Sequence, residues 1–436
     1  METTARSDER RRRPDRGRCR HGLRLLTAAA ALGLALAATA CAASTSGPTA
    51  SPSPSPTVSA VRFSITPGNG LRQAKPQKGL KITARDGTLV TVKVTAGGDP
   101  VAGKLDSTAT IWRSRWALAT GTKYVVRATA VDAAGRTVTK TSRFRTLTPH
   151  LTVQAQIFEG SGVTYGVGMP IMLQFSRPVD DRAAVERSLQ LWSSRRVVGA
   201  WYWDGNQALW FRPRNYWPAH TKVRFIGHLD GVEVAPGVYG VHTLRQDFVI
   251  GRSLITVAST DSHHVLVYRD RHKFANWPIS TGRTGKETPN GTYLAIEKAN
   301  PQHMVGADYD IEVPYSVRFT WSGNFIHAAP WSVGEQGYAN VSHGCVNLAP
   351  AHAQTYYGLS VPGDPVTITG SPRGGAWNDG WTVWFLTWRK LVRGGALREA
   401  VRVGPDGSTW VRPGALKPST AKAPLSRPKP HNASPS

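Results

Sequence analysis

Short apolar runs, separated by turn residues, are the feature that most constrains how this chain can fold. The chain has 43 glycines and 30 prolines among 436 residues, and apolar residues do not recur at helical spacing over long stretches. Residues 124–131 and 136–144, for example, alternate apolar and polar side chains on either side of a turn at 133–135. This alternation is typical of paired β-strands. The sequence therefore predicts a mainly β protein.

The length indicates about three folded domains, since one domain takes ~150 residues. The spacing of strands and turns predicts two β-sandwiches, at residues 61–149 and 150–251. The end of the first, Phe144-Arg145-Thr146, resembles bacterial immunoglobulin-like domains. A third, β-rich module is expected at residues 252–370.

Several local elements follow from the same patterns. Residues 81–84 and 89–94 flank Asp86-Gly87, which predicts a hairpin. Trp112 is expected in the core of the first sandwich, and residues 181–189 are expected to form a short helix in the second.

The second sandwich is rich in tryptophan: Trp192, Trp201, Trp203, Trp210 and Trp217. Such a set suits either a carbohydrate-stacking platform or a core, and we favour the core because aromatic side chains supply most of the apolar area in small sandwiches.

The last part of the chain divides into an aromatic segment and a basic tail. Residues 371–396 place four aromatic side chains at helical spacing: Trp381, Trp384, Phe385 and Trp388. This pattern predicts an amphipathic helical extension that packs its aromatic face on a neighbouring domain. Residues 397–436 are poor in apolar residues and rich in Pro, Ser, Lys and Arg, which predicts a disordered basic tail.

The first forty residues have the pattern of an export signal. Arginines precede an uncharged stretch at 25–40, and Ala38-Thr39-Ala40 leads directly to Cys41. Because this stretch is shorter than the ~20 residues that span a bilayer comfortably, a processed leader at 1–40 is favoured over a transmembrane helix. The small residues before Cys41 resemble a bacterial lipobox, which implies lipidation of Cys41 and attachment to the outer face of the cytoplasmic membrane. Ordinary secretion is the alternative.

Residues 41–60 are dominated by Ser, Pro and Thr, a composition typical of an extended linker. The whole chain carries a formal charge of +26, which suits an anionic partner outside the cell. Anionic cell-wall polymers fit this charge, whereas nucleic acid is excluded as a partner by export and by the lack of a nucleic-acid-binding motif. The alternative is that an arginine-rich genome simply yields a basic surface.

Cys345 is the one cysteine expected to keep a free thiol, because Cys19 lies in the leader and Cys41 is expected to carry the lipid. A thiol needs a base or a positive environment to become nucleophilic. His327 and His343 are the candidate bases, and we favour His327 because it comes from a separate strand. In an extended segment, His343 would project on the same side as Cys345 and orient it. A buried, inert cysteine is the alternative.

Gly344 immediately precedes this cysteine. Glycine there permits a tight turn that exposes backbone amides. The amides of Gly344 and Cys345 are therefore predicted to stabilise a tetrahedral oxyanion.

The segment Ser342-His343-Gly344-Cys345-Val346-Asn347 follows His327 after a spacer of fourteen residues. Together with the run from Ile326 to Trp331, it resembles the signature of the L,D-transpeptidases, and the two sandwiches and aromatic extension resemble actinobacterial members. The resemblance implies a β-rich catalytic domain at 252–370 and no metal or other cofactor.

The resemblance also implies roles for individual residues. Cys345 would attack a donor peptidoglycan stem peptide, His327 would act as base, and an amine of a second stem would accept the acyl group. The side chains expected to shape the substrate site are Ser342, His343, Asn347, Tyr309 in a lid, Met304 and Trp331. Ala328 stands where some relatives have serine, but the backbone carbonyl there is expected to orient the imidazole.

Three alternatives remain open. His327, His343 and Cys345 are acceptable zinc ligands, although no fourth ligand is evident. A second alternative is a wall-binding protein without catalytic activity. If it is an enzyme, water can replace the amine as acceptor, which gives an L,D-carboxypeptidase.

Overall fold

The computed structural model describes residues 58–412. The predicted leader, Cys41 and most of the linker lie outside the described residues, as does the end of the basic tail. The described residues form three consecutive β modules followed by a C-terminal segment that packs back on the second.

The first module is a sandwich of two four-stranded sheets, with strand orders β1-β2-β6-β5 and β4-β3-β7-β8. Its strands are β1 Arg62–Thr66, β2 Lys81–Arg85, β3 Thr88–Ala96, β4 Asp99–Pro100, β5 Gly103–Leu105, β6 Ile111–Ser114, β7 Lys123–Val131 and β8 Thr137–Arg145. Trp112 is buried between the sheets. The turn at 133–135 joins β7 and β8 as an antiparallel pair.

The hairpin predicted around Asp86-Gly87 is wrong. β2 pairs with β1 and β6, whereas β3 pairs with β7 and β4, so the chain changes sheet at this turn. The alternating buried residues of both strands, Ile82 and Leu89 among them, face one another within the same core. Alternation indicates which face of a strand is buried and leaves its hydrogen-bonding partner undetermined.

The second module has two larger sheets, β10-β12-β15-β14-β31-β32 and β11-β19-β16-β13, and a small third sheet, β17-β18-β9. Its own elements are β9 Leu151–Val153, β10 Ala155–Ile157, β11 Thr164–Tyr165, β12 Ile171–Phe175, α1 Arg182–Arg187, β13 Leu189–Ser193, β14 Val197–Asp204, β15 Ala208–Pro213, β16 Thr221–His228, β17 Glu233–Ala235, β18 Val238–Gly240 and β19 Thr243–Ile250. The α1 helix begins after Asp181, whose carboxylate accepts a hydrogen bond from the Ala184 amide. Trp201, Trp203 and Trp217 are buried in this core, which favours packing over a sugar-binding platform.

The third module combines a five-stranded sheet, β22-β21-β20-β30-β23, with a four-stranded sheet, β24-β27-β28-β29, and a separate two-stranded hairpin, β25-β26. Its elements are β20 Leu254–Ser259, β21 His264–Arg269, β22 His272–Pro278, β23 Gly291–Leu294, β24 Glu297–Ala299, β25 Gln302–Val305, β26 Asp310–Val313, β27 Ser316–Arg318, β28 Phe325–Ala328, β29 Val346–Leu348, α2 Pro350–Leu359 and β30 Pro365–Thr369. The core of this module lies between its two larger sheets and α2. The mainly β fold class is confirmed.

The aromatic extension is not one helix. Trp381 lies in a loop, Val383–Phe385 form a single 3₁₀ turn, and α3 covers Trp388–Gly394. The aromatic side chains still pack on neighbouring modules: Trp381 contacts Phe158 of the second sandwich, with ring centroids 5.0 Å apart. Helical spacing of aromatic residues in this segment reflects contacts with several separate surfaces rather than one helical face.

The prediction that the chain is disordered from residue 397 is also wrong. Two strands, β31 Ala400–Gly404 and β32 Gly407–Val411, form a hairpin. β31 joins the edge of β14, and Val401 and Val403 are buried in the core of the second sandwich. A segment with so few apolar residues is ordered because an existing sheet edge supplies its hydrogen-bond partners.

Candidate active site

Two parallel strands of the third module bring the predicted nucleophile and base together. β28 pairs with β29 so that His327 lies opposite Asn347. Cys345 directly precedes β29, two residues before Asn347. Cys345 itself lies in a bend, so strand alternation does not fix the direction of its side chain; its thiol instead contacts the backbone of Gly323 and Phe325, at the start of β28. Ile326 and Val346 point into the core.

The Cys345 thiol is partly buried among backbone groups. Its Sγ–H donates to the carbonyl oxygen of Gly323, at 3.8 Å. Burial raises the pKa of the Cys345 thiol to about 11, although a hydrogen bond from the Phe325 backbone and the charge of Arg318 oppose this shift. A thiol with its pKa raised in this way is protonated at neutral pH and would have to lose its proton to act as a nucleophile.

The His327 imidazole is held by a backbone carbonyl. Its Nδ1 atom lies 2.9 Å from the carbonyl oxygen of Ala328. Because a carbonyl oxygen only accepts, Nδ1 carries the hydrogen and Nε2 keeps its lone pair. Burial lowers the pKa of His327 to about 4, so the ring is neutral at physiological pH. The alanine at 328 serves as expected, since only its backbone carbonyl contacts the ring.

Gly344 forms a sharp bend before the nucleophile. Its φ of 122° lies where side chains are strained, and an added Cβ would approach Asn324 Nδ2 to 2.7 Å. The Gly344 amide donates to Ser342 Oγ at 3.1 Å. The prediction that both Gly344 and Cys345 amides face the oxyanion is thus corrected, because the Gly344 amide is already engaged.

His343 does not take the orienting position predicted for it. Its Nε2 atom lies 2.8 Å from Asp308 Oδ2 and 2.7 Å from Arg283 Nη1. Arg283 also donates to Asp308, at 3.2 Å. Residues 343–345 form a bend rather than an extended strand, so the argument that His343 and Cys345 share a side does not hold. These contacts place His343 in an exposed cluster, which we call the flap latch: Asp308, Arg283 and His343.

The flap latch joins the β25–β26 hairpin to the loops around the nucleophile. Asp308 lies in the hairpin's loop, and its pKa is lowered by the hydrogen bond from His343 and by the nearby charge of Arg283. Sequence reasoning missed Asp308 and Arg283. They lie on separate loops, and no spacing in the sequence relates them.

The predicted lid residue, Tyr309, also lies in this hairpin's loop. Its ring packs on His343, with centroids 5.0 Å apart. Desolvation raises the pKa of Tyr309, and the nearby Cys345 and Asp308 charges add to the effect. Met304 lies on β25 opposite Ile311, in the same hairpin.

The remaining predicted site residues differ in their contacts and in their exposure to solvent. The Trp331 ring centroid is 6.1 Å from that of His327, and half of the Trp331 side chain is exposed. The Ser342 hydroxyl donates to the Cys345 carbonyl at 2.7 Å. The Asn347 side chain is buried and donates to Ser332 Oγ at 2.9 Å, so it holds the loop after β28 and does not face solvent.

Two further side chains contact the nucleophile's bend and were not predicted. Thr288 Oγ1 and Asn324 Nδ2 both donate to the Gly344 carbonyl oxygen, at 2.9 Å and 2.8 Å. Thr288 lies in the loop before β23, and nothing in the sequence links that loop to Gly344.

The zinc alternative finds no support in the side-chain geometry. Within residues 58–412, no three His, Cys, Asp or Glu side chains converge in a way that would hold a metal ion. Over the same residues, no helix is both long and apolar enough to cross a membrane.

Comparison with known proteins agrees with this fold. Residues 72–233 match the model of a bacterial Ig domain, and residues 252–368 match that of the L,D-transpeptidase catalytic domain. The chain is 32% identical to L,D-transpeptidase 5 of Mycobacterium tuberculosis over 376 residues, which cover 83% of this chain and 79% of the relative. It is 31% identical to L,D-transpeptidase 2 of the same species over 325 residues, which cover 70% of this chain and 79% of the relative.

Among solved structures, an LD transpeptidase in complex with imipenem is 34% identical to this chain. The match has a TM-score of 0.43 and covers 51% of this chain and 100% of that one. The 32% identity to L,D-transpeptidase 5 over 83% of this chain shows that the chain belongs to the L,D-transpeptidase family.

Proposed function

We propose that this protein is a peptidoglycan L,D-transpeptidase that works through a cysteine acyl-enzyme. The observation that carries the proposal is the placement of His327 on β28, with Nδ1 held by the Ala328 carbonyl, beside the strand β29 that Cys345 directly precedes. Membership of the L,D-transpeptidase family supports the same chemistry.

The first half-reaction is acylation by a donor tetrapeptide stem. His327 Nε2 takes the thiol proton as Cys345 Sγ attacks the carbonyl between the third and fourth residues. The tetrahedral oxyanion then collapses and the C–N bond breaks. The leaving D-alanine receives the proton from His327, and a thioester remains on Cys345.

In the second half-reaction, a side-chain amine of a neighbouring stem attacks the thioester. His327 accepts a proton from the amine, and the thiol regains its proton as the cross-link forms. If water attacks, the product is a tripeptide and the enzyme is an L,D-carboxypeptidase. Incubation with purified tetrapeptide muropeptides distinguishes the two: transpeptidation yields dimers, and tripeptide without dimers would contradict it.

The cysteine's role is tested by a covalent probe. The intact mass of the protein is expected to increase by that of one imipenem molecule. Peptide mapping should locate the adduct on Cys345. The Cys345→Ala variant should remain unmodified. If imipenem fails to modify the parent protein while it modifies a known L,D-transpeptidase in parallel, a non-catalytic wall-binding role is favoured.

We further propose that the protein acts outside the cell, attached to the membrane by a lipid on Cys41. The arginine-rich leader and the small residues before Cys41 support this location. Metabolic labelling with a radioactive fatty acid should label the parent and not Cys41→Ser. Labelling of both would contradict lipidation at this residue.

Anionic cell-wall polymers are a proposed second partner. A groove of about 690 Å³ between the second sandwich and the β31–β32 hairpin is lined in part by Arg196, Arg214 and Arg402. Retention on isolated cell walls should weaken with salt and with charge-removing substitutions in this groove. Salt-independent retention would contradict the proposal.

A further inference from the structure

The backbone around the nucleophile contains a carbonyl held from two sides. The oxygen of Gly344 accepts one hydrogen bond from Thr288 Oγ1, at 2.9 Å, and another from Asn324 Nδ2, at 2.8 Å. A carbonyl oxygen has two lone pairs, so two donors from different loops satisfy it. Both donor side chains are buried, which leaves this carbonyl little freedom to rotate.

The same peptide plane carries the amide of Cys345. In a planar trans peptide the C=O and N–H bonds point in opposite directions. Holding the Gly344 oxygen against Thr288 and Asn324 therefore directs the Cys345 N–H away from them. Among the hydrogen bonds of residues 58–412, none uses the Cys345 amide as donor. The Gly344 amide, in contrast, donates to Ser342 Oγ.

Asn324 is itself held in place. Thr320 Oγ1 donates to the side-chain Oδ1 of Asn324 at 2.9 Å and accepts from the backbone N–H of Asn324 at 2.8 Å. The adjacent Gly323 supplies the carbonyl that accepts from the Cys345 thiol. One turn between β27 and β28 thus contacts both the sulfur and the peptide that precedes it.

We propose that Asn324 and Thr288 are positioning residues that orient the Cys345 amide as the oxyanion donor of the acylation step. This inference rests on the proposed acyl-transfer function. Neither side chain touches the substrate in this account; each acts through the Gly344–Cys345 peptide. The two hydrogen bonds would preorganise the Cys345 amide, because an oxyanion donor is most effective when it needs no reorientation as charge develops.

The test compares two reactions of the same sulfur. Acylation by imipenem develops an oxyanion, whereas alkylation by iodoacetamide does not. The Asn324→Ala variant is expected to be acylated at least ~10-fold more slowly, since loss of a whole oxyanion donor costs roughly 100-fold or more. Its alkylation rate should stay within about twofold of the parent's, because an oxyanion donor has no part in that displacement.

Matched variants complete the experiment. Asn340→Ala is the control, because Asn340 holds Thr281 and Thr260 in the same module without contacting Gly344. Thr288→Val should reproduce the selective loss, and Thr288→Ser, which keeps the hydroxyl, should retain the parent's rates. If Asn324→Ala does not fold, the two Thr288 variants still test the proposal.

A parallel fall in both reactions, or an unchanged acylation rate in both Asn324→Ala and Thr288→Val, would overturn the inference. A parent protein that imipenem does not acylate would count against the proposed function itself, which separates the two failures.

Discussion

His327 lies opposite Asn347 on the parallel strands β28 and β29, and Cys345 directly precedes β29. A strand therefore sets the position of the proposed base, whereas the proposed nucleophile lies in the bend that leads into the neighbouring strand. Burial lowers the pKa of His327 and raises that of Cys345, so in the proposed reaction the proton moves during acylation and not before substrate binds.

Replacing His327 by alanine should remove the general base. We expect the imipenem acylation rate to fall by roughly 100-fold to 10,000-fold, the usual contribution of general acid–base catalysis. The matched control is His352→Ala, since His352 belongs to the same module but stacks on Trp277, with centroids 4.9 Å apart. Equal rates for His327→Ala and the parent would rule out His327 as the base.

The pH dependence of acylation should be flat across the neutral range. The active form has a neutral imidazole and a neutral thiol, so it is populated above the His327 pKa of about 4 and below the Cys345 pKa of about 11. The acylation rate constant should therefore rise through about pH 4 and hold a plateau to alkaline pH. Iodoacetamide alkylation should instead increase steadily up to about pH 11, because it requires the thiolate.

Stopped-flow measurement of both rates over pH 5–9, a range set by the two pKa values, checks this expectation. A bell-shaped acylation profile centred near neutrality would indicate a resting thiolate–imidazolium pair instead.

Breaking the flap latch should loosen the β25–β26 hairpin. In Asp308→Asn the carboxylate that contacts both Arg283 and His343 is lost. We expect faster amide hydrogen exchange across residues 302–313 and a higher KM for stem peptide, with little change in the thermal midpoint. The latch is exposed, so its contribution to global stability should be small.

Asp310→Asn is the control for this change, because Asp310 pairs with His303 within the hairpin and not with the rest of the module. If Asp310→Asn and Asp308→Asn increase exchange equally, the latch does not hold the hairpin.

Removing the C-terminal hairpin should destabilise the second sandwich. A chain that ends at residue 397 loses β31 and β32, exposing the β14 edge and the core contacts of Val401 and Val403. Each fully buried valine contributes about 1.5–3 kcal/mol at most by area. We expect a calorimetric unfolding midpoint several degrees lower than that of a chain ending at residue 412. Identical midpoints would show that the hairpin contributes nothing to folding.

Much of the local structure could be predicted from alternation and turn residues. Residues 124–131 and 136–144 were predicted as paired strands and form β7 and β8 with limits that differ by one residue, and the short helix predicted at 181–189 contains α1. These elements depend on side chains close in sequence, whose buried and exposed positions repeat with the period of the element.

Pairing between distant segments was less predictable. Residues 81–94 were expected to form a hairpin but divide between two sheets, and residues 400–411 were expected to be disordered but extend the sheet at β14. In both cases the outcome depends on which sheet edge is available, and that is a property of the folded module rather than of the segment.

The sequence by itself determined which reactive groups the candidate site contains: Cys345, the glycine beside it, and His327, which a spacer of fourteen residues separates from the segment at 342–347. Only the tertiary structure decided how those groups are used. It turns His343 toward Asp308, engages the Gly344 amide with Ser342, and brings Thr288 and Asn324 to the Gly344 carbonyl. Residue type sets which atoms can donate, accept or react, whereas their directions are set by backbone torsion at Gly344 and by hydrogen bonds from loops remote in sequence.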